Sequence, residues 1–487
     1  MREKIAMNRS HRIVSRKLLT ALILVVALVA FVGATSVGRY RPAIALKVAS
    51  GLVSHQICSS VFVSHLDASE EFREIVPTLG PLRYVARYDI DWQQRSVSAR
   101  IAGMAYSHAL YRQAEGCIVL VGITPKPPAV IDEPDDGSTI ISNALPGAGV
   151  VKPVNSALGL AIDEQFEEPQ NPPHRWTRAV VIVKDGHIVG ERYANGIGPQ
   201  TPLLGWSMSK SVINALLGIL VRQGRLSPEA PANVGEWADP KDPRHSITVD
   251  QLMRMKSGTN FGDSLEAGFL SGFDPTKRML FTTSDMASDA AQAKLAAAPG
   301  MRWKYSDGSY LILSRILRDR VGGDTQSVLN FAHRELFDRL GMEKPVIEFD
   351  ATGTPVGSSY IFATARDWAR LGQLYAQDGV VGGQRILPES WVDYSSRLTP
   401  GSEDYGYGAG FWTNRGNSDA AHQRVAAGMP SDSFMARGSY GQYVLVSPSQ
   451  RLVIVRLGTS YTRAGDLRAM ERLTSNVVRA LSPSTRN

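Results

Sequence analysis

The stretch Gly205-Trp206-Ser207-Met208-Ser209-Lys210-Ser211-Val212 runs without a break into Ile213-Asn214-Ala215-Leu216-Leu217-Gly218-Ile219-Leu220-Val221. The second half is too apolar to face water and reads as a buried helix. A lysine at its mouth needs an explanation, because a buried ammonium is costly unless it is paired or neutral. Ser207 lies three positions before Lys210, so on a helix the two share a face. In the first turn the Ser207 N–H is one of the donors that the helix leaves unsatisfied. Positive potential at that end, together with burial, disfavours the ammonium. A partly neutral Lys210 would accept the Ser207 proton and make the hydroxyl a nucleophile, with half an oxyanion hole in the same turn. The bland reading is an N-cap serine followed by a surface lysine. Ser207 is, however, the only serine of the chain with a lysine three residues on.

Two further segments supply what such a nucleophile needs. Ala298-Pro-Gly-Met-Arg-Trp-Lys-Tyr305-Ser306-Asp307 places a tyrosine on a loop just before a second helical pattern. A phenol beside a lysine can pass protons. Phe434-Met-Ala-Arg-Gly438-Ser439-Tyr440-Gly441 puts two glycines at the head of a strand, or at a hairpin bend. Glycines there let a substrate lie against the backbone, and a strand N–H facing the helix start would complete the oxyanion hole.

Taken together and in this order, these segments resemble the serine β-lactamase and penicillin-binding superfamily. The likeness is to its class C-like branch of esterases, D-aminopeptidases and 6-aminohexanoate-dimer hydrolases. Ser246-Ile-Thr-Val-Asp-Gln-Leu-Met-Arg-Met-Lys-Ser257-Gly258 and the closing hairpin Phe434–Gly458 also fit, and the resemblance spans about residues 166–485. It implies Ser207 as nucleophile, Lys210 as its base partner and Tyr305 as proton shuttle. The N–H groups of Ser207 and Ser439 would form the oxyanion hole. Asp307, Gly438, Gly441, Tyr407 and Trp412 are the residues expected to line the substrate. Two positions depart from the family pattern. Asp307 stands where many relatives have Asn, which would favour a charged Lys210 and repel acidic substrates. Ala436-Arg437-Gly438 replaces Lys-Thr-Gly, leaving no lysine for a β-lactam carboxylate. Strand alternation turns Arg437 to the opposite face. Both changes favour a neutral amide or ester, small or peptide-like, over a β-lactam.

The chain has 487 residues and a net charge of +7. Six cations and one acid fall within residues 1–17, directly before the uncharged run Leu18–Ala34. Basic charge placed there excludes a nucleic-acid-binding reading. It points to a membrane anchor over residues 18–37 with a cytoplasmic N-terminus, or to a signal peptide cut near Ala34. Either way the catalytic part faces the periplasm, held to the inner membrane or released. The only cysteines, Cys58 and Cys117, are candidates for a disulfide outside the cytoplasm. Residues 40–121 read as a small separate module of unknown role, 122–157 as a Pro/Gly-rich linker, and 158–487 as the hydrolase domain. That domain should be α+β: an antiparallel sheet built from strands at both of its ends, flanked by helices, with an all-helical subdomain between. No phosphate loop, zincin motif or metal-ligand spacing occurs, so neither a metal nor a cofactor is expected. A D,D-peptidase or β-lactamase is the alternative enzyme. A silent cell-wall sensor is the alternative of another class.

Overall fold

The computed structural model describes residues 42–122, 149–261, 274–461 and 466–482. The basic segment, the apolar run at 18–37 and most of the Pro/Gly-rich stretch lie outside these residues. Among the described residues no helix is long and apolar enough to cross a membrane.

The central sheet has six strands. They are β5 (Thr177–Lys184), β6 (His187–Tyr193), β12 (Trp412–Thr413), β13 (Phe434–Gly438), β14 (Gln442–Ser447) and β15 (Leu452–Gly458), in the order β12-β13-β14-β15-β5-β6. Every neighbouring pair is antiparallel. The sheet therefore joins the start of the hydrolase domain to its end through the β15–β5 pair. Asp185 and Gly186 both take positive φ, 52° and 83°, which gives the two-residue turn that a tight hairpin prefers. Val180 to Val183 are fully buried, as befits a strand covered on both faces.

Four helices matter for the site. α3 (Ser209–Arg222) and α4 (Asp307–Val321) lie in the helical part, and α5 (Ala365–Ala376) packs on the central strands. α6 (Leu467–Leu481) buries Ala469, Met470, Leu473 and Val477, an apolar stripe at helical spacing. A small sheet, β7 (Leu203–Leu204), β9 (Ile361–Ala363) and β8 (Val346–Ile347), leads into the Ser207 turn. A two-strand ribbon, β10 (Val380–Val381) with β11 (Gln384–Arg385), stands apart.

The N-terminal module consists of α1 (Pro42–Phe62), α2 (Ala68–Ile75) and an antiparallel sheet of β1 (Ala86–Asp91), β2 (Ser96–Ile101), β3 (Ala105–Arg112) and β4 (Gly116–Val119). Cys58 of α1 and Cys117 of β4 form a disulfide across 59 positions. The module is not separate from the hydrolase part. α1 is sandwiched between its own sheet and the helix Pro275–Thr282, with Gly51 against the Phe281 ring. Residues 151–154 follow the edge of β6 as a strap. Val154 donates to the Val189 carbonyl and Glu191 to the Val151 carbonyl, at 2.9 and 3.0 Å.

Candidate active site

Ser207 sits in a short 3-10 turn, Trp206–Met208, that runs straight into α3. Trp206 is held at φ 48°, a left-handed conformation that costs a bulky residue free energy and is typical of functional turns. Three backbone-anchored hydrogen bonds hold this turn. The Gly205 N–H donates to the Ile361 carbonyl at 2.9 Å. The Ser209 hydroxyl accepts from the Ile361 N–H at 3.0 Å. Lys210 Nζ donates to the Ser358 carbonyl at 2.8 Å. Farther along α3, Asn214 donates to the Ala409 carbonyl, and its oxygen accepts from Tyr375 and Trp391, so this polar residue in an apolar helix is satisfied.

Lys210 is 1% exposed. Its Nζ has three acceptors: Ser207 Oγ at 2.9 Å, the Ser358 carbonyl and Asp307 Oδ1. Three acceptors match the three N–H groups of an ammonium. A buried carboxylate pairs with it and offsets the desolvation that burial imposes on an ammonium. Asp307 is itself 2% exposed. It faces Lys210 rather than the cleft, so its expected role as a substrate contact gives way to that of the lysine's counter-ion.

Tyr305 precedes the N-cap of α4, where Ser306 Oγ accepts from the Ser309 N–H at 3.2 Å and Asp307 takes the first helical position. The Ser257–Gly258 segment explains why the tyrosine loop stands where it does. Met255 and Gly258 accept backbone hydrogen bonds from Lys304 and Ala296, at 2.9 and 2.8 Å. The Ser207 hydroxyl lies close enough to the Tyr305 phenol to favour its ionised form, and the Lys210 Nζ lies 5.0 Å from its ring centre. Burial and the Asp307 charge hold the phenol well above its ordinary value, with Ser207 and Arg437 pulling the other way. Tyr407 and Trp412 are buried, at 1% and 6% exposure. Their rings pack on Tyr305 at 5.8 and 5.7 Å between centres. They orient the phenol.

Gly438 closes the site from the sheet side. A Cβ there would lie 2.1 Å from the Gly205 carbonyl oxygen. The glycine is thus required for β13 to approach the Ser207 turn, which is a packing reason rather than the expected substrate contact. Ser439 follows at once, exposed, beside that junction. Tyr440 and Gly441, at φ 62° and 90°, form the hairpin bend between β13 and β14, so Gly441 serves the turn.

Sequence reasoning missed three contributors. Arg437 was expected on the far face, yet its guanidinium lies 5.1 Å above the Trp412 ring, and its charge reaches Tyr305. The Ser358 carbonyl and the positive φ of Trp206 carry no residue-type signal at all. Among the described residues no cluster of side chains could hold a metal ion.

A serine, a lysine and a tyrosine brought together by a helix start, a pre-helical loop and an antiparallel edge define the β-lactamase-like serine hydrolases. The chain belongs to the β-lactamase family: the family model described as Beta-lactamase matches residues 165–478. It is similar to the 6-aminohexanoate-dimer hydrolase of Paenarthrobacter ureafaciens, with 24% identity over 58% of this chain and 72% of the relative. Among solved structures it resembles a provisionally named 6-aminohexanoate-dimer hydrolase from Bacillus anthracis. That match has a TM-score of 0.52 and 24% identity, covering 63% of this chain and 80% of the other. A penicillin-binding protein homologue from Caulobacter crescentus matches with a TM-score of 0.51 and 18% identity, covering 68% and 99%. None of these ranges demands the N-terminal module, and the family match begins after it.

Proposed function

We propose that this protein hydrolyses a neutral amide or ester through an acyl-enzyme on Ser207. The observation that carries the reading is the convergence of Lys210 Nζ, at 2.9 Å, and the Tyr305 hydroxyl on the one Ser207 side chain. As Ser207 Oγ attacks the carbonyl carbon, its proton passes to Tyr305 Oη while Tyr305 passes its own hydroxyl proton to the leaving nitrogen or oxygen, so the phenol stays neutral. The carbonyl π pair moves onto oxygen, where the N–H groups of Ser207 and Ser439 receive it. The leaving nitrogen or oxygen, now carrying that proton, departs as the carbonyl re-forms. Water repeats the relay to release the acid. A relay of this kind never needs a free phenolate, which suits a tyrosine whose ionisation is strongly disfavoured. Lys210 remains an ammonium throughout and stabilises the charge that grows on Oγ.

The missing strand lysine and the Asp307–Lys210 pair support a substrate without a carboxylate at that point. The name of the relative, a 6-aminohexanoate-dimer hydrolase, favours amides among the candidates. We also propose that residues 18–37 hold the enzyme at the inner membrane with its catalytic part in the periplasm, where the Cys58–Cys117 bridge would persist. The test is fluorophosphonate labelling and p-nitrophenyl ester turnover by the wild type and Ser207→Ala. Equal labelling and turnover would refute the assignment. Stable labelling by a penicillin would instead favour the D,D-peptidase or β-lactamase reading.

A further inference from the structure

The segment Ser358–Ile361 makes all three contacts that anchor the Ser207–Lys210 turn: the Ser358 carbonyl to Lys210, the Ile361 N–H to Ser209 and the Ile361 carbonyl to Gly205. Tyr360 lies within it, and its ring turns toward Trp206, the residue before the nucleophile, at 6.1 Å between centres. The Tyr360 hydroxyl is buried without a hydrogen-bond partner. Its position therefore rests on ring contacts. The closest of them is His55 of α1, stacked at 4.1 Å with the planes 27° apart.

His55 is fixed in turn by a buried cluster that spans the module boundary. Its Nε2 meets Glu348 Oε2 at 2.7 Å. Glu348, fully buried, accepts from Ser59 of α1 at 2.7 Å and from the Cys117 N–H of β4 at 2.8 Å, both on its other oxygen. Its own N–H donates to the Tyr360 carbonyl at 2.9 Å. A buried carboxylate needs such donors, and all three side-chain partners come from the N-terminal module. The disulfide joins two of their elements, since Cys58 neighbours Ser59 and Cys117 supplies the third donor. Without the module, Glu348 would lose these donors and Tyr360 would lose its stacking partner.

We infer that the N-terminal module is a built-in brace of the active site and that His55 is a positioning residue. It acts through Tyr360 on the Ser358–Ile361 segment, and through that segment on Lys210 and the Ser207 turn. This role rests on the proposed Ser207 chemistry, because the brace holds the groups of that mechanism. It assigns the module work within catalysis, distinct from substrate contact.

The test uses the whole chain with a p-nitrophenyl ester, measuring kcat and KM separately alongside thermal melting. His55→Ala is expected to lower kcat by roughly tenfold or more with KM within about twofold, since small displacements of reacting groups slow the chemical step. His55→Phe restores a ring for Tyr360 and is expected to recover part of kcat, although it cannot donate to Glu348. A brace acting only on stability would lower melting while leaving kcat of the folded fraction unchanged. If His55→Ala does not fold, Tyr360→Leu probes the same stack from the other side with the same expected loss of kcat. Wild-type kcat in either folded variant overturns the inference. A loss that His55→Phe leaves wholly unrecovered overturns the stacking route. Ser207→Ala keeps the two levels apart. If it retains turnover, the proposed mechanism fails. If it is dead while the His55 and Tyr360 variants keep full kcat, only the brace fails.

Discussion

The pairing of Lys210 with Asp307 makes a test in which structure and chemistry separate. Both side chains are almost fully buried, at 1% and 3% exposure. At contact distance and an effective dielectric of about 20, their attraction is roughly 4–6 kcal/mol, and desolvation offsets much of it. Removing one partner leaves the other buried and uncompensated, which costs about 3–5 kcal/mol. Lys210→Met strands the carboxylate. Asp307→Asn strands the ammonium, although the Ser207 hydroxyl and the Ser358 carbonyl still accept from it, so its cost falls at the lower end. The double variant buries neither charge. Its destabilisation should be smaller than the sum of the single effects by about 2–3 kcal/mol, a coupling expected of residues in direct contact. Urea unfolding followed by tryptophan fluorescence measures the cycle. Ester turnover measured on the same four proteins asks the second question. Loss of Lys210 should cost roughly 10²- to 10³-fold in kcat, and the double variant should regain stability without regaining rate. Additive stabilities within about 0.5 kcal/mol would refute the buried pair. Restored turnover in the double variant would refute a catalytic role for Lys210.

Tyr305→Phe should lose roughly 10²- to 10⁴-fold in kcat while leaving the fold intact, since the ring contacts with Tyr407 and Trp412 remain. The raised ionisation of Tyr305 means that its neutral form is the folded form. Its contribution to stability is complete below the usual tyrosine value of about 10 and is lost as pH rises above it. Melting midpoints should accordingly hold from neutral pH up to that point and fall beyond it, less steeply in Tyr305→Phe. Arg437→Gln removes the cation–π contact with Trp412, whose ring packs on Tyr305, so it should lower kcat several-fold and leave KM for an uncharged ester unchanged; a raised KM at constant kcat would make Arg437 a substrate contact. Gly438→Ala should push β13 away from the Gly205 carbonyl, costing about 1–3 kcal/mol as overpacking does, and should slow fluorophosphonate labelling. Replacing Cys58 and Cys117 with serine opens a loop of 59 residues, worth about 4 kcal/mol in chain entropy, and calorimetry should show the loss.

The signals that were legible are local ones. Ser207 and Lys210 stand three apart at the start of an apolar run, Tyr305 stands just before an N-cap serine, and the C-terminal strands are short apolar runs on either side of a recognisable turn. Each follows from the periodicity of one element, and together they marked the fold. What escaped detection depends on contacts between distant segments. Glu348 lies 293 positions from His55, and nothing in Pro355–Tyr360 signals that its carbonyl would hold a lysine. Arg437 was assigned to a face by strict strand alternation, but near a sheet edge a long side chain can reach an aromatic neighbour. The run containing Cys58 read only as short apolar pieces because α1 is buried on nearly every side and shows no amphipathic period. The glycines of 438–441 were read for the substrate, whereas close backbone approach and a hairpin bend account for them.

The two departures from the family pattern form one electrostatic adjustment. Against the Lys-Thr-Gly and Asn pattern of the β-lactamase resemblance, Ala436 leaves no cation at that point of the strand and Asp307 adds an anion beside Lys210, so positive charge is lost twice. With the lysine neutralised by its partner and the strand lysine gone, little remains to stabilise a phenolate on Tyr305. Burial and Asp307 oppose that form, and only Arg437, acting across Trp412, supports it. A mechanism that begins from phenolate would have to overcome both. A mechanism in which the neutral phenol takes one proton as it gives another has no such penalty, because Tyr305 begins and ends each half-reaction with the same charge. The same loss of positive charge lowers the attraction for a substrate carboxylate at the strand. On the proposed reading, the residue changes that would turn the site away from β-lactams are the ones that call for a neutral relay, and a preference for uncharged amides or esters and the protonation state of Tyr305 stand or fall together.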